Sequence, residues 1–379
     1  MMKATVFIID ARHRINNYEV ETISRHVSYA KNLSYSSAGQ FQHVVVLQIR
    51  AAQESSLENL SPNLRIVRLN GRLNRNKIFE QIKLISFESQ SQLAILVAGD
   101  PFISGFLALR VREKLVKKTK LIAKCQVQVH FELSTILFAR NPKSILKYLL
   151  TKYSLRHADQ LRFVESDQRE LFIEKFGLTN PSVVIPVPLN ISAAYSVTER
   201  ARIPNSIAFV GRLHNERGLQ EFLRIAEVIS ENSFGLKVLI YGDGPEKRNL
   251  EALLDRKSSR LNLVLKGSYA NLDLQWPEIG VLVSSAPAES YGRAMREAHI
   301  HGVPVLAVSS SGSEKLASIA PRGSIRVLNS NFGRTEILDA YKCLRQNIIP
   351  IAYREKLQAD QSNLYFQIPA SWVELMRMD

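Results

Sequence analysis

The sequence predicts an α/β protein with two doubly wound domains, each built on a largely parallel sheet. The length of 379 residues favours two domains, and an apolar share of 45% is enough to give each a core. Short continuous runs rich in Val, Ile and Leu are typical of strands that are buried on both faces of a parallel sheet. Helical stretches alternate with these runs along the whole chain, as they do in βαβ units.

The first predicted domain covers residues 1–190, and its strand-like runs are ATVFII, FQHVVVLQ, NLRIVRL, LAILVAG, TKLIAKCQVQVH, QLRFV and SVVIP. The helical stretches between these runs include NYEVETISRHVSYAKNL, NKIFEQIKLISFESQ and PKSILKYLLTKYSLRHA. Strands that alternate with helices in this way are typical of a Rossmann-like fold, in which helices pack on a sheet.

The second predicted domain covers residues 191–350, with the runs SIAFVG, LKVLIYG, LNLVLKG, GVLVSS, PVLAV and SIRVL. The proline-containing segment 185–206 is the predicted linker, and residues 351–379 are a predicted helical tail that packs back on the first domain. Ligands of open parallel sheets bind at the carboxyl ends of the strands, so the cleft between the two domains is the expected site.

The cysteine content and the lengths of the apolar runs indicate in which cellular compartment the protein is expected. The two cysteines, Cys125 and Cys343, have no metal or redox spacing, which favours a reducing environment. Asp10 ends the first apolar run too early for a signal peptide, and no run approaches the roughly 18 residues of a membrane span. We therefore expect a cytoplasmic protein.

The positive charge is concentrated in the first half. The net charge is +15, and residues 1–190 hold 27 Lys and Arg against 15 Asp and Glu. Such a field favours an anionic partner, either acidic lipid or a phosphorylated substrate, although solubility alone also explains it. Nucleic acid is not expected, because the basic residues are not interleaved with aromatic ones and no known binding motif occurs.

The segment SIAFVGRLHNERG places Gly211, Arg212 and Arg217 between a strand and the helix LQEFLRIAEVI. Guanidinium groups and free N–H groups at a helix start suit phosphate, although both arginines are also explained as solvated loop residues. In the next segment, LKVLIYGDGPEKRNLEALL, Gly242 precedes a helix. We interpret Gly242 as structural first and as a ligand-approaching residue second.

The segment SSAPAESYGRAMREAHIHGVPVLAV carries two glutamates eight positions apart, Glu289 in the turn after a strand and Glu297 in the helix that follows. Carboxylates that face a cleft accept hydrogen bonds from sugar hydroxyls. A nucleotide sugar has such hydroxyls on both its ribose and its transferred sugar. The alternative is a helix acid that complements the dipole and an exposed loop acid.

The motifs GRLHNERG, YGDGP, AESYGRAMREA and HGVPVLAVSSSGSEKL occur in this order. Together they resemble the donor-binding domain of retaining glycosyltransferases of the GT-B fold, family 4, also called glycosyl transferases group 1. The resemblance covers about residues 205–330. It implies two Rossmann-like domains that face each other across a cleft, and it places Glu289 at the transferred sugar and Glu297 at the ribose.

The same resemblance assigns further roles around the donor. The turn Ser290, Tyr291 and Gly292 supplies backbone N–H groups to the sugar and diphosphate, and the basic pair on the diphosphate matches Arg212 and Arg217. The second basic residue is usually Lys in the family.

In the first domain, the resemblance places His130, at the end of the strand AKCQVQVH, close to the anomeric carbon of the sugar. The family often continues with Gly-Asp where this chain has Phe131 and Glu132. A structural histidine at a strand end is the alternative.

The resemblance implies a retaining glycosyltransferase with His130 and Glu289 as catalytic residues and a front-face displacement. No metal and no cofactor is implied, and the co-substrate is a UDP- or GDP-linked sugar. The acceptor is a glycan or a lipid-linked precursor in polysaccharide, glycolipid or glycoconjugate synthesis. Two alternatives remain open, a non-catalytic scaffold or membrane-associated partner protein of the same fold and a sugar-nucleotide epimerase.

Two helical stretches of the first half carry basic stripes beside apolar residues. Arg110, Lys114 and Lys117 form one stripe, and Lys143 and Lys147 form the other. Such stripes suit an anionic leaflet, which predicts peripheral contact with the inner face of the membrane. A solvated helix face is the alternative.

Overall fold

A computed structural model describes this chain at residues 2–11, 20–36, 40–52, 56–70, 74–131, 133, 142–189, 191, 195–199, 203–254, 261–267 and 275–378. The chain divides into two compact units. The first unit is Met1–Pro188 together with Ser362–Asp379, and the second unit is Leu189–Gln361.

The first unit is built on one sheet. Its strands are β1 (Ala4–Asp10), β2 (Phe41–Ala52), β3 (Ser56–Ser61), β4 (Leu64–Asn70), β5 (Leu93–Ala98), β6 (Ile122–Val129), β7 (Gln160–Phe163) and β8 (Ser182–Val184). They lie in the order β3-β4-β2-β1-β5-β6-β7-β8. The neighbouring strands pair in parallel, except that β3 runs antiparallel to β4.

The described helices of the first unit before its C-terminal segment are α1 (Val20–Ser36), α2 (Arg75–Glu88), α3 (Ile103–Lys118), α4 (Pro142–His157) and α5 (Ser166–Phe176). Successive side chains of a strand point to opposite faces of the sheet. Accordingly, Phe7 and Ile9 of β1 belong to one buried apolar cluster, whereas Ala4 and Val6 belong to another. Both faces of this sheet are therefore apolar and covered, which explains the continuous apolar runs in the sequence.

The second unit has a six-stranded parallel sheet. Its strands are β9 (Ser206–Val210), β10 (Lys237–Tyr241), β11 (Asn262–Gly267), β12 (Val281–Ser284), β13 (Val305–Val308) and β14 (Ile325–Leu328). The order is β11-β10-β9-β12-β13-β14. Its described helices up to Arg345 are α6 (Leu219–Ser230), α7 (Lys247–Leu254), α8 (Arg293–Ile300), α9 (Ser311–Ile319) and α10 (Arg334–Arg345). The chain adds strands outward from β9 on one side and from β12 on the other, so the topological switch point lies between these two strands.

The terminal helix α11 (Ile351–Arg377) is shared by the two units. In the first unit, Trp372 Nε1 donates to Gln126 Oε1 at 3.0 Å, and Gln126 Nε2 donates to Ser371 Oγ at 3.1 Å. All three side chains are buried. This hydrogen-bonded group fixes the end of α11 on strand β6.

In the second unit, α11 is anchored by the buried guanidinium of Arg354. Arg354 Nε donates to Ile300 O at 2.8 Å, and Nη1 donates to Thr198 O at 2.7 Å. Nη2 donates to Tyr195 Oη at 3.1 Å. One side chain thus satisfies the last carbonyl of α8 and ties the linker segment to α11.

Replacing Arg354 with alanine is expected to lower the free energy of unfolding by about 2–4 kcal/mol, because buried carbonyl groups would lose charge-assisted partners. Thermal unfolding of the variant, beside that of Arg322→Ala as an exposed control, measures the effect. Equal melting temperatures for R354A and the wild type would contradict this role.

Candidate active site

A pocket lies at the topological switch point of the second unit. Its lining includes Gly211, Arg217, Ser285, Glu289, Gly292 and Met295. These residues follow the carboxyl ends of β9 and β12 or begin helix α8. This is the place where open parallel sheets bind their ligands.

The ends of β9 and β10 pack closely against each other beside this pocket. The N–H of Gly211 donates to Tyr241 O at 3.0 Å, and a Cβ at Gly242 would lie 1.9 Å from Gly211 O. Only glycine therefore fits at position 242. This contact accounts for Gly242 as a structural residue, and Gly242 does not line the described pocket.

Arg217 reaches the pocket because of a second close approach. It ends a 3-10 turn, Asn215–Arg217, that is followed by Gly218 with φ of 69°. A Cβ at Gly218 would lie 2.0 Å from Ser285 O, so the loop after β9 rests directly on the segment after β12. This packing places the Arg217 side chain beside Glu289.

Arg217 and Glu289 form an ion pair in the pocket. Arg217 Nη1 donates to Glu289 Oε2 at 2.6 Å, and the N–H of Gly292 donates to Glu289 Oε1 at 3.2 Å. The backbone of Glu289 is fixed as well, since its carbonyl accepts from the N–H of Gly312 at 2.7 Å. The pocket therefore offers a cation for phosphate and an acceptor for hydroxyl groups, and the two satisfy each other in this structure.

The turn Ser290–Tyr291–Gly292 is held by residues that the sequence did not single out. Arg296 Nε donates to Tyr291 O at 3.0 Å, and its guanidinium lies 4.2 Å from the centre of the Tyr291 ring. Gln361 Nε2 donates to Tyr291 Oη at 3.2 Å. No local pattern identifies Gln361, because it lies 70 positions away in the chain.

Glu297 lies on the second turn of α8 and is nearly buried. Its Oε1 accepts from Arg293 Nη2 at 3.3 Å, and its side chain is 10% exposed. The i,i+4 spacing of these two residues is the signal from which this pair could have been predicted. Arg293 adds a second guanidinium at the start of α8, although neither residue is part of the lining of the described pocket.

Arg212 differs from Arg217 in its surroundings. Its side chain is 60% exposed, and Nη2 lies 4.0 Å from Glu216 Oε2. Arg212 does not line the pocket as the described residues define it. Of the two predicted phosphate-binding arginines, the structure thus places Arg217 in the pocket and Arg212 on the surface.

His299, near the end of α8, is fully buried. Burial is the main cause that lowers the pKa of His299 from its ordinary value of 6.5 to about 4; the hydrogen bond to Ser324 O opposes this shift, and the nearby Arg296 adds to it. Its Nε2 lies 3.2 Å from Ser324 O and its Nδ1 lies 3.3 Å from Tyr353 Oη. These partners suit a neutral ring that donates from Nε2 and accepts at Nδ1.

The protein is therefore expected to lose stability as the pH falls from about 6.5 towards 4. The unfolded chain takes up a proton on His299 in this range, whereas the folded chain does not, and the loss approaches about 3 kcal/mol. Denaturant unfolding of wild type and His299→Gln across this range measures it. The stability of H299Q relative to wild type should rise as the pH falls, and a constant difference would contradict the assignment.

His130 lies in the first unit, directly after β6. Its Nε2 is 2.8 Å from Gln128 Oε1, and its side chain is half-buried. The structure places it at the carboxyl end of a parallel strand, which agrees with a ligand-facing position. Its catalytic role stays a prediction.

On helix α3, two of the predicted basic residues have partners within the first unit. Arg110 Nη1 lies 2.7 Å from Glu113 Oε2, and Lys114 Nζ donates to Asn76 Oδ1 at 2.9 Å. Lys117 is exposed. Arg110 also keeps 38% of its side chain exposed beside its ion pair, so both residues face solvent.

On helix α4, Lys147 Nζ lies 4.3 Å from the centre of the Phe102 ring. The side chain of Lys143 lies outside the described residues. Three apolar side chains of the same helix are more than half exposed, namely Ile145, Leu146 and Leu149. The surface of α4 thus combines basic and apolar groups.

Among the described residues, no cluster of three or more His, Cys, Asp or Glu side chains is placed to hold a metal ion. No helix in the described part of the chain is both long and apolar enough to cross a membrane.

Comparison with known proteins agrees with this architecture. Residues 204–325 match the family model described as Glycosyl transferases group 1. A curated relative, the 2-deoxystreptamine N-acetyl-D-glucosaminyltransferase of Niallia circulans, is 24% identical over 154 residues, which cover 39% of this chain and 38% of the relative. The chain thus spans less than half the length of that relative.

Solved structures resemble the whole chain. Sucrose-phosphate synthase from Thermosynechococcus elongatus superposes with a TM-score of 0.68 at 17% identity, covering 99% of each chain. The pneumococcal O-GlcNAc transferase GtfA in complex with UDP and GlcNAc superposes with a TM-score of 0.67 at 13% identity, covering 100% of each chain. With the two parallel-sheet halves described above, these likenesses confirm the predicted GT-B fold.

Proposed function

We propose that this chain, whose second unit carries a glycosyl transferases group 1 domain at residues 204–325, is a glycosyltransferase. It transfers a sugar from a nucleotide-diphosphate sugar to an acceptor hydroxyl. The observation that carries the proposal is the Arg217–Glu289 pair in the pocket at the topological switch point. A guanidinium binds diphosphate oxygens, and a carboxylate accepts hydrogen bonds from sugar hydroxyls. One nucleotide-sugar molecule can therefore bind to both groups.

We assign the finer roles from this geometry and from the resemblance of the motifs. The diphosphate displaces the Glu289 carboxylate from Arg217, and the freed carboxylate accepts hydrogen bonds from the transferred sugar. Glu297, held by Arg293, accepts from the ribose hydroxyls. The N–H groups of the turn at Ser290–Gly292 contribute to the sugar and the phosphate.

The leaving group of the reaction is a nucleoside diphosphate, whose negative charge grows as the glycosidic bond breaks. Arg217 is positioned to stabilise this charge, and fixed charges of this kind usually supply the largest part of a rate enhancement. We propose that the exposed Arg212 joins it when the donor binds, and that the reaction retains the anomeric configuration without a metal ion. From the resemblance, we also propose that His130 is a catalytic residue.

The first experiment is a thermal-shift screen of the full chain with UDP, GDP and ADP. One relative is an N-acetylglucosaminyltransferase and one similar structure is an O-GlcNAc transferase in complex with UDP, so UDP-N-acetylglucosamine is the first donor to include. A ligand at 100 times its Kd stabilises a protein by about 2.7 kcal/mol. The absence of stabilisation by any of these nucleotides would contradict the proposal.

We also propose a peripheral contact of the first unit with anionic membrane. The excess of positive charge in residues 1–190 and the exposed apolar groups of α4 support it, since each basic residue near an anionic surface contributes about 1 kcal/mol.

Wild-type protein is expected to sediment with vesicles that contain anionic lipid and not with neutral ones. The double variant Leu146→Ser/Leu149→Ser should bind the anionic vesicles less. Equal sedimentation with neutral and anionic vesicles would contradict the contact.

A further inference from the structure

The hydroxyl of Ser285 is a buried polar group in the wall of the candidate pocket. The residue is 2% exposed, and its Oγ has no hydrogen-bond partner among the described residues. A buried hydroxyl without a partner costs free energy, so native structures usually supply one.

Ser285 differs in its position from two other buried hydroxyls that have no partner among the described residues. Ser86 and Ser154 of the first unit are also buried hydroxyls for which the described residues provide no partner, but neither lines the described pocket. Ser285 lines it together with Arg217 and Glu289. A ligand in the pocket can therefore supply the hydrogen-bond partner that the described residues do not provide.

The backbone at Ser285 is firmly placed. The chain at Gly218 approaches Ser285 O so closely that a Cβ there would lie 2.0 Å from the oxygen. Arg217 directly precedes Gly218, and Arg217 and Ser285 both line the pocket. Two hydrogen-bond donors of this kind suit the oxygens of a phosphate group.

We propose that the Ser285 hydroxyl binds the donor substrate by donating a hydrogen bond to a diphosphate oxygen. The inference rests on the proposed function, since it requires a nucleotide-diphosphate sugar in this pocket. Ser285 complements Arg217, because the hydroxyl donates a directed hydrogen bond while the guanidinium supplies the charge. The neighbouring Glu289 carboxylate is left for the sugar hydroxyls.

The test measures the affinity of wild type, Ser285→Ala and Ser285→Cys for UDP and UDP-N-acetylglucosamine by calorimetry. S285A is expected to bind UDP about 5- to 20-fold more weakly, which corresponds to about 1–2 kcal/mol. Its ligand-free melting temperature should stay equal or rise, because the substitution removes an unpartnered buried hydroxyl. S285C keeps a side chain of similar size with a weaker donor, and it should bind with an intermediate affinity.

Ser86→Ala is the matched control, since it removes an equally buried hydroxyl at 1% exposure outside the pocket. It should leave the affinity for UDP unchanged. Equal affinities of S285A and wild type would overturn the inference while leaving the proposed function standing. A deficit with UDP-N-acetylglucosamine but not with UDP would overturn the assignment to phosphate, and a wild type that binds no nucleotide would overturn both proposals.

Discussion

Replacing Glu289 with glutamine is expected to lower the rate of sugar transfer by about 10²- to 10⁴-fold, the range typical of a lost catalytic side chain. Glutamine keeps the size of the side chain and can still accept from the N–H of Gly292. It loses the charge that pairs with Arg217 at 2.6 Å. Because Arg217 is then no longer occupied, the affinity for UDP should be equal to that of the wild type or higher.

Initial rates of nucleotide release with donor and acceptor measure this effect, and calorimetry measures the binding. Glu231→Gln is the matched control, because Glu231 forms an ion pair with Arg334 at 2.5 Å in the same unit but does not line the described pocket. A wild-type rate for E289Q would contradict the catalytic assignment. Unchanged cellular function in a variant that has lost transfer would instead favour the alternative of a non-catalytic protein of the same fold.

Replacing Arg217 with alanine is expected to weaken the binding of UDP by about 10- to 100-fold, since charge-assisted hydrogen bonds contribute about 1.5–3 kcal/mol. The transfer rate at saturating donor should also fall, because the charge on the leaving diphosphate grows during bond cleavage. Arg217→Lys keeps the charge without the forked donors, so it should recover part of both losses.

Arg334→Ala is the control for a lost arginine of a surface ion pair. A double-mutant cycle adds a sharper comparison. The effects of R217A and E289Q on the transfer rate should be strongly non-additive, because the two side chains act on one donor molecule. Additive effects would indicate that the pair in the pocket is structural only.

Much of the architecture could be predicted from the sequence, because strands buried on both faces leave continuous apolar runs and helices leave a period of 3.6. The strand β3 could not be predicted from the hydrophobic pattern. Its sequence SLENLS is polar, and it lies antiparallel and largely exposed at the sheet edge. An edge strand of this kind depends on its pairing partner and leaves little trace in hydrophobic pattern.

The site was predictable as a set of loops but not as a set of contacts. Gly211, Arg217, Glu289 and Gly292 follow strands in the sequence, and all four line one pocket. That Arg217 and Glu289 pair with each other depends on the close approach of Gly218 to Ser285. No local pattern encodes such a contact between segments nearly 70 positions apart.

At Gly242, the structure supports the first of the two interpretations that the sequence allowed, a structural role. A glycine after a strand suggested an approach to ligand as its second interpretation, whereas the structure shows that the carbonyl of Gly211 leaves no room for a Cβ there. Arg296 and Gln361 were not singled out from the sequence, because their roles depend on contacts with Tyr291. Arg296 donates to the main-chain carbonyl of Tyr291, and Gln361 donates to its hydroxyl.

We propose that one nucleotide-diphosphate sugar binds in the second unit between Arg217 and Glu289. A crystal structure of the full chain with UDP, or with whichever of GDP and ADP stabilises it more, tests this most directly. We expect a diphosphate oxygen within hydrogen-bond distance of the Arg217 guanidinium and the Glu289 carboxylate released from its ion pair. A nucleotide bound elsewhere, with the Arg217–Glu289 pair intact, would contradict the account.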